Sequence, residues 1–229
     1  MTETGRGFVA EFVATFALVL IGAGSVILAS QGRLDLTGVA LAHGLVLAIM
    51  VSVTAHISGG LVNPAVTIGL WVTGKLGGSK AVAFIVAQLL GAVVGAFLLK
   101  YLLPRDVFDA GGGGGAAVDA SIAAGKAMLM EAVATFFLVF AVFGTAVDDR
   151  GPFSKTAGFT IGLVIAFDIL AFGPWTGAAM NPARWFGPAL ATGEWADWWV
   201  WVVGPIAGGV IGAVAYWGAF LRDRGPATP

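Results

Sequence analysis

From residue 58 to residue 67 the chain reads SGGLVNPAVT, and from residue 176 to residue 184 it reads TGAAMNPAR. Both stretches contain an Asn-Pro-Ala box, Asn63-Pro64-Ala65 and Asn181-Pro182-Ala183, and the boxes hold the only two asparagines in the chain. Asn before a helix can bond free backbone N–H groups, and Pro at the first helical position has no N–H that needs a partner. Each box therefore predicts a loop that leads directly into a short helix.

The composition is typical of an integral membrane protein. Hydrophobic residues make up 58% of the chain and charged residues 11%, whereas soluble domains carry about 25% charged residues. Six apolar segments of ~20 residues, the length that crosses a bilayer, use almost all of the chain. We therefore expect one transmembrane domain over residues 1–229. Cysteine is absent, the two histidines form no metal-ligand cluster, and the chain has no basic run. We therefore expect no metal, no cofactor and no nucleic-acid partner.

The apolar segments predict an all-α membrane protein with six spans. We expect these spans at about residues 8–29, 39–56, 81–103, 126–147, 156–172 and 197–221. The helices that follow the boxes, at about 64–72 and 182–191, are too short to cross ~30 Å of hydrocarbon and must be re-entrant half-helices. The glycine-rich connection at 104–125 is expected to be a flexible loop.

The two halves of the chain are repeats. The stretch EFVATFALV, which begins at Glu11, matches EAVATFFLV, which begins at Glu131, at seven of nine positions. We therefore expect a first repeat at 8–103 and a second at 126–221. Each repeat has three spans, an odd number, so the second must enter the membrane from the opposite side. Inverted repeats place both re-entrant loops near the midplane, where broken helices form substrate sites.

The distribution of Lys and Arg predicts the orientation. Seven basic residues fall on one side of the predicted spans, against four on the other; they are Arg6, Lys75, Lys80, Arg150, Lys155, Arg222 and Arg224, against Arg33, Lys100, Arg105 and Lys126. The positive-inside rule then places both termini in the cytoplasm, and we expect the plasma membrane. The tryptophans at 195, 198, 199 and 201 predict an interfacial belt on the opposite, outer side.

The paired Asn-Pro-Ala boxes, the Glu-x-x-x-Thr-Phe pattern in spans one and four and the Arg184 that follows the second box resemble the aquaporin (major intrinsic protein) family over residues 8–221. The resemblance implies an hourglass pore in each subunit of a homotetramer in the lipid bilayer. Leu61 departs from the family, because many members have a pore-facing His two residues before the first Asn.

The physics of the loops predicts a water pore. Two half-helix N-termini place about half a positive charge each at the pore centre, which disfavours cations. Asn63 and Asn181 can each donate one N–H to a passing water, whose own hydrogens must then point along the pore and interrupt a proton wire. The resemblance implies that backbone carbonyls accept along the path, those of Gly59, Gly60, Leu61, Gly177, Ala178 and Ala179.

The spacing known in the family implies a selectivity filter of His43, Ile169, Ala178 and Arg184. An isolated His or Arg in an apolar segment can also be structural, but a bare Arg in a membrane must face water or protein carbonyls. His from span two with an aliphatic residue from span five is similar to tonoplast-type members that pass ammonia. Glu11 and Glu131 are acids inside spans, and we expect them to brace the re-entrant loops rather than relay protons.

The leading hypothesis is a passive water channel that also passes ammonia or other small neutral solutes. The alternative within the fold is a glycerol facilitator, but such members usually have Asp where this chain has Trp185. An ion-coupled transporter would need further acids near the midplane, and only Asp168 is a candidate; we expect it to find donors in the outer loops. The sequence does not pair a nucleophile with a base, so we do not expect an enzyme.

Overall fold

The structure, a computed structural model, describes residues 1–222, so Arg224 lies outside the described residues. Its α-helices are, in chain order, α1 (Glu3–Ser30), α2 (Leu36–Ser58), α3 (Pro64–Val72), α4 (Gly78–Leu102), α5 (Arg105–Ala110), α6 (Ala124–Val142), α7 (Ala157–Thr176), α8 (Pro182–Thr192) and α9 (Val200–Tyr216). Six of these, all except α3, α5 and α8, are long and apolar enough to cross a membrane. The predicted fold class is confirmed.

The ends of the spans differ from the predicted ones by a few residues. Helix α1 begins at Glu3, because the Thr2 hydroxyl accepts the Gly5 N–H at 3.1 Å and caps a polar first turn. Helix α9 begins only at Val200, since residues 197–199 form a turn. Helix α6 continues through a π-helical turn at Phe143–Val147, and α9 continues through another at Trp217–Leu221.

The halves interlock through their short helices. In the first half α1 packs along α2 and α4, and in the second half α6 packs along α7 and α9. The two short helices cross over: α3 packs mainly on α9, and α8 packs mainly on α4. Each half-helix is therefore held by the long helix that ends the other repeat, and both loops come to the centre of the molecule.

Glycines set the close packing of the long helices. A Cβ added at Gly91 would lie 2.3 Å from the Phe12 carbonyl oxygen, and one added at Gly208 would lie 1.9 Å from the Ala132 carbonyl oxygen. Any side chain at these positions would push α1 from α4, or α6 from α9. Matched glycines thus allow close packing of the long helices in both repeats.

The connection at 104–125 has more structure than its composition predicts. It contains α5 and a 3₁₀ turn at Gly112–Gly114, in which Gly113 and Gly114 are buried. Gly114 has a φ of +71°, and a Cβ there would lie 2.2 Å from the Ala23 carbonyl oxygen, so only glycine fits against α1. The Asp119 N–H donates to the Trp175 carbonyl at 2.9 Å. The segment therefore packs on the helix ends around it.

A charged cluster closes the opposite end of the second half. Asp148 is 6% exposed; it accepts hydrogen bonds from the Arg150 guanidinium and, at 3.0 Å, from the Tyr216 hydroxyl. The Arg150 guanidinium lowers the pKa of Asp148 to about 2 from its ordinary 3.8. Arg150 also donates to the Phe220 carbonyl at 3.2 Å, so the cluster ties the α6–α7 connection to the end of α9.

Candidate pore

The two asparagines cap the half-helices whose first residues are Pro64 and Pro182. The Asn63 Oδ1 accepts the Ala65 N–H at 2.8 Å, and the Asn181 Oδ1 accepts the Ala183 N–H at 3.0 Å. Both asparagines have extended backbone, and each is followed by Pro at the first helical position. The local sequence thus directs both helix N-termini, with their partial positive charge, at one point.

The same asparagines also join the two loops. The Asn63 Nδ2 donates to the Met180 carbonyl at 2.8 Å, and the Asn181 Nδ2 donates to the Val62 carbonyl at 2.9 Å. Val62 and Met180 have φ values of +56° and +51°, a strained conformation for such residues that their setting must enforce. Each amide has two hydrogens and uses one in the crossed bond, so one remains for a molecule in the lumen.

Glu11 of α1 is fully buried and holds the first loop through four donors. Its carboxylate accepts the Leu61 and Val62 N–H groups at 2.9 and 2.7 Å, and the Ser58 hydroxyl at 2.6 Å. The fourth donor is the Gln88 amide of α4, at 2.7 Å. Since four donors surround the carboxylate, a buried charge is well satisfied there.

Glu131 of α6 has three donors to its carboxylate. They are the Ala179 and Met180 N–H groups, at 2.9 and 2.7 Å, and the Thr176 hydroxyl, also at 2.7 Å. The spacing between the matched glycines, 91 and 208, assigns Pro205 to the place that Gln88 occupies in the first repeat, and Pro has no side-chain donor. The two halves therefore share the backbone contacts and differ in the amide.

A narrow cavity runs past both asparagines. Its volume of about 30 Å³ is the room for roughly two waters, since about 10–15 Å³ holds one. Most of its wall is apolar, from residues such as Leu18, Leu47, Leu138, Ile161 and Ile165. The expected carbonyl residues line it at Gly59, Gly60, Leu61, Ala178 and Ala179, whereas Gly177 lines the wider outer cavity of about 350 Å³. Residues of both re-entrant loops thus line the cavity beside an otherwise apolar wall.

His43, Ile169, Ala178 and Arg184 all line the narrow cavity, and each is at most 3% exposed. The His43 Nδ1 lies 2.9 Å from the Val39 carbonyl; because a carbonyl only accepts, Nδ1 carries the proton. The Nε2 lies 3.4 Å from the Arg184 Nη2. The Arg184 Nε and Nη1 have no partner among residues 1–222. Two buried donors are thus free for a molecule in the lumen.

The structure adds residues that the sequence analysis missed. A Cβ at Gly22 would lie 2.5 Å from the His43 Nε2, so glycine in α1 makes the room for the imidazole. Gly115 lines the outer cavity together with Arg184. The signal for Gln88, a lone amide in an apolar span, was available in the sequence, but nothing in a single sequence marks Gly22 or Gly115.

Asp168 of α7 does not have the hydrogen-bond donors that the sequence analysis expected. The residue is 1% exposed, and its Oδ2 has no hydrogen-bond partner among residues 1–222. Neither the 104–125 connection nor the second re-entrant loop donates to it. Asp168 does not line the narrow cavity either.

Comparison with known proteins agrees with this geometry. The family model described as Major intrinsic protein matches residues 1–216. Aquaporin TIP4-4 of Zea mays is 44% identical over 227 residues, which cover 96% of this chain and 88% of that protein. Aquaporin TIP2-1 of Arabidopsis thaliana is 41% identical over 228 residues, 94% of this chain and 88% of that protein.

Among solved structures, the aquaglyceroporin of Plasmodium falciparum superposes with a TM-score of 0.84 at 27% identity, over 95% of this chain and 97% of that one. Its fold therefore accounts for nearly the whole chain. The family model, the relatives and this superposition lead to one conclusion: the chain belongs to the major intrinsic protein family.

Proposed function

We propose that the lumen of this passive water channel excludes protons and ions and also passes ammonia. The observation that carries the proposal is the crossed pair of asparagine amides, each of which lines the lumen and keeps one hydrogen unused by the protein. The aquaporins among its relatives support water as the principal solute.

Two features support the exclusion of protons. A water that accepts from both Asn63 and Asn181 must direct its own hydrogens away from the centre, which breaks a continuous donor chain. The N-termini of α3 and α8 add about half a positive charge each, in a low-dielectric setting that makes a cation costly. Both effects leave neutral molecules free to pass.

The residues that line the aperture support the passage of small neutral solutes other than water. Ile169 and Ala178 give it an aliphatic and a small wall, while the unpartnered Arg184 Nε and Nη1 supply polar contacts. Ammonia is as small as water and accepts hydrogen bonds, whereas ammonium meets the positive charge of Arg184. Glycerol gains no favourable slot, because the bulky Ile169 stands where a larger solute would pass, and no observation favours the glycerol facilitator.

Paired fluxes test this proposal. In proteoliposomes, stopped-flow measurements should show water and ammonia permeabilities well above those of empty vesicles, with no proton flux. The double variant His43→Phe/Ile169→His narrows the aperture and should keep the water flux while it lowers the ammonia flux. Robust water flux with ammonia flux equal to that of empty vesicles would show that the aperture is selective for water alone.

The chain is an integral multi-pass membrane protein, and finer statements belong to the proposal. We infer a homotetramer with one lumen per subunit, as the resemblance implies, and both termini in the cytoplasm. Light scattering of the purified protein tests the first, and protease accessibility of a terminal tag tests the second. The relatives bear the name TIP, for tonoplast-type aquaporins, which gives no support to the expected plasma membrane.

A further inference from the structure

A cavity of about 520 Å³ lies outside the pore, against the second half of α1. Its lining comes from residues between 20 and 28 of α1, from the end of α4 with Pro104 and Val107 beyond it, and from Ala42 of α2. None of these residues lines the narrow pore cavity. The volume falls within the ~300–1,000 Å³ of ligand sites, and the water pathway does not account for it.

Gly24 of α1 leaves this cavity open. A Cβ added there would meet one neighbouring atom within 4 Å, the Leu99 Cδ2 at 3.4 Å, which is an ordinary van der Waals contact. A Cβ at Gly95 of α4, by contrast, would lie 2.9 Å from the Phe16 carbonyl oxygen. The helices therefore touch at Gly95 and leave a groove at Gly24. Ile21, which also lines the groove, is 48% exposed, so the groove opens on the apolar lateral surface of the helices.

The length of the groove matches one leaflet of a bilayer. Residues 20–28 extend for about 12 Å along α1 at ~1.5 Å per residue, which is most of one half of the ~30 Å hydrocarbon core. The groove follows the part of α1 that leads to its last residue, Ser30. An acyl chain that enters from the head-group region therefore has room to lie along α1.

The polar end of the groove carries a free positive charge. Gln31 and Arg33, in the turn after α1, line this end and are exposed. The Arg33 guanidinium has no ion pair or hydrogen bond among residues 1–222, and the described lining contains no acid. The nearby Asp35 instead accepts the Gly38 N–H at 2.8 Å and lines the outer cavity above Arg184. A guanidinium fork matches the oxygens of a phosphate.

We propose that the groove beside Gly24 binds one anionic phospholipid from the leaflet in which α1 ends. One acyl chain lies along α1 and contacts Leu99 and Val107, and the head-group phosphate accepts hydrogen bonds from Arg33 and Gln31. Basic groups beside apolar clefts between membrane helices bind anionic head groups in this way. A free phosphate would gain nothing from the apolar groove, so the occupant is a lipid.

The test places the full chain in phosphatidylcholine vesicles with a small fraction of phosphatidylglycerol that carries a photoactivatable group in its acyl chain. Labelling should concentrate on residues 20–34 and 99–107, and unlabelled phosphatidylglycerol should compete it away. Arg33→Gln should lower this labelling by about fivefold, the effect of one basic residue at an anionic surface. Lys126→Gln removes an exposed base that lies outside the groove and has no ion pair in the described part of the chain. It should be labelled like the wild type.

A second variant fills the groove. Gly24→Leu places a side chain where the acyl chain would lie and should abolish the labelling of residues 20–34. Gly125→Leu, at a position where an added Cβ meets nothing within 4 Å, is the matched control. Water permeability measured on the same vesicles shows that all variants are folded.

Three results would overturn the proposal. The first is labelling spread evenly over all exposed helix faces, and the second is equal labelling of the wild type and Arg33→Gln. The third is a Gly24→Leu variant that keeps the labelling and changes the oligomeric state in light scattering, because the groove would then hold a second copy of the chain.

Discussion

The carboxylate of Glu11 has four hydrogen-bond donors, whereas that of Glu131, at the matching place in the second repeat, has three. Two backbone N–H groups and one hydroxyl are common to both. Only the first half adds a side-chain amide, that of Gln88. The second half instead has Asp168, an acid whose Oδ2 has no donor among the described residues.

The difference separates what the pore geometry requires from what it tolerates. The re-entrant loops turn their N–H groups toward the long helix in both halves, so a buried carboxylate is needed at both places. The fourth donor is not required by the loop. We therefore expect the second re-entrant loop to be held less firmly than the first. Four predictions test how the two halves differ.

The largest effect should come from loss of either glutamate. Glu11→Ala leaves four buried donors without their acceptor, and Glu131→Ala leaves three. Each unsatisfied group costs about 1–3 kcal/mol of folding free energy. Both variants should lose most of their thermal stability in detergent, and Glu11→Ala should melt at the lower temperature. Asp106→Ala, which removes an exposed acid of α5 that has no ion pair among residues 1–222, serves as the control; a lower melting temperature for Glu131→Ala would contradict the comparison.

The second prediction exchanges the amide between the halves. Gln88→Leu removes one hydrogen bond to a buried charge, worth about 1.5–3 kcal/mol, and also the amide that donates to Thr67 at 3.0 Å. Pro205→Gln should add the missing donor to Glu131 and raise the melting temperature. Pro205→Ala controls for the loss of proline, and an equal rise in both variants would show that the amide contributes nothing.

Much of this arrangement could be predicted from the sequence. Hydropathy and the odd number of spans per repeat determine the inverted fold, and the Asn-Pro pairs determine where the half-helices begin. The crossed bonds from Asn63 to Met180 and from Asn181 to Val62 could not be predicted, because they join loops more than 100 residues apart. The room that Gly22 leaves for His43 depends on the distance between two helices, which a single sequence does not contain.

The third prediction concerns the unpartnered acid of the second half. Asp168→Asn keeps the shape of the side chain and removes a carboxyl group that has no donor for its Oδ2 among residues 1–222. We expect a gain in stability of about 1 kcal/mol and unchanged water permeability per channel, because Asp168 does not line the lumen. Reduced permeability at equal stability would place the acid in the transport pathway.

The smallest effect should appear at the charged cluster that closes the second half. The pKa of Asp148 is about 2 in the folded protein and 3.8 in its ordinary state, because Arg150 and Tyr216 donate to the carboxylate. A lowered folded pKa means that the unfolded chain binds the proton first as the pH falls. The contribution of Asp148 is therefore complete above about pH 4 and is lost between pH 4 and pH 2.

Since the Arg150 side chain is 33% exposed, the ion pair should contribute less than about 1 kcal/mol. Melting curves of the wild type and Asp148→Asn in detergent should differ by a small amount at pH 7 and converge as the pH approaches 2. Asp149→Asn, the neighbouring acid that takes part in none of these hydrogen bonds, should follow the wild type throughout. A difference that persists unchanged at pH 2 would mean that Asp148 stabilises the α6–α7 connection by its shape and not by its charge.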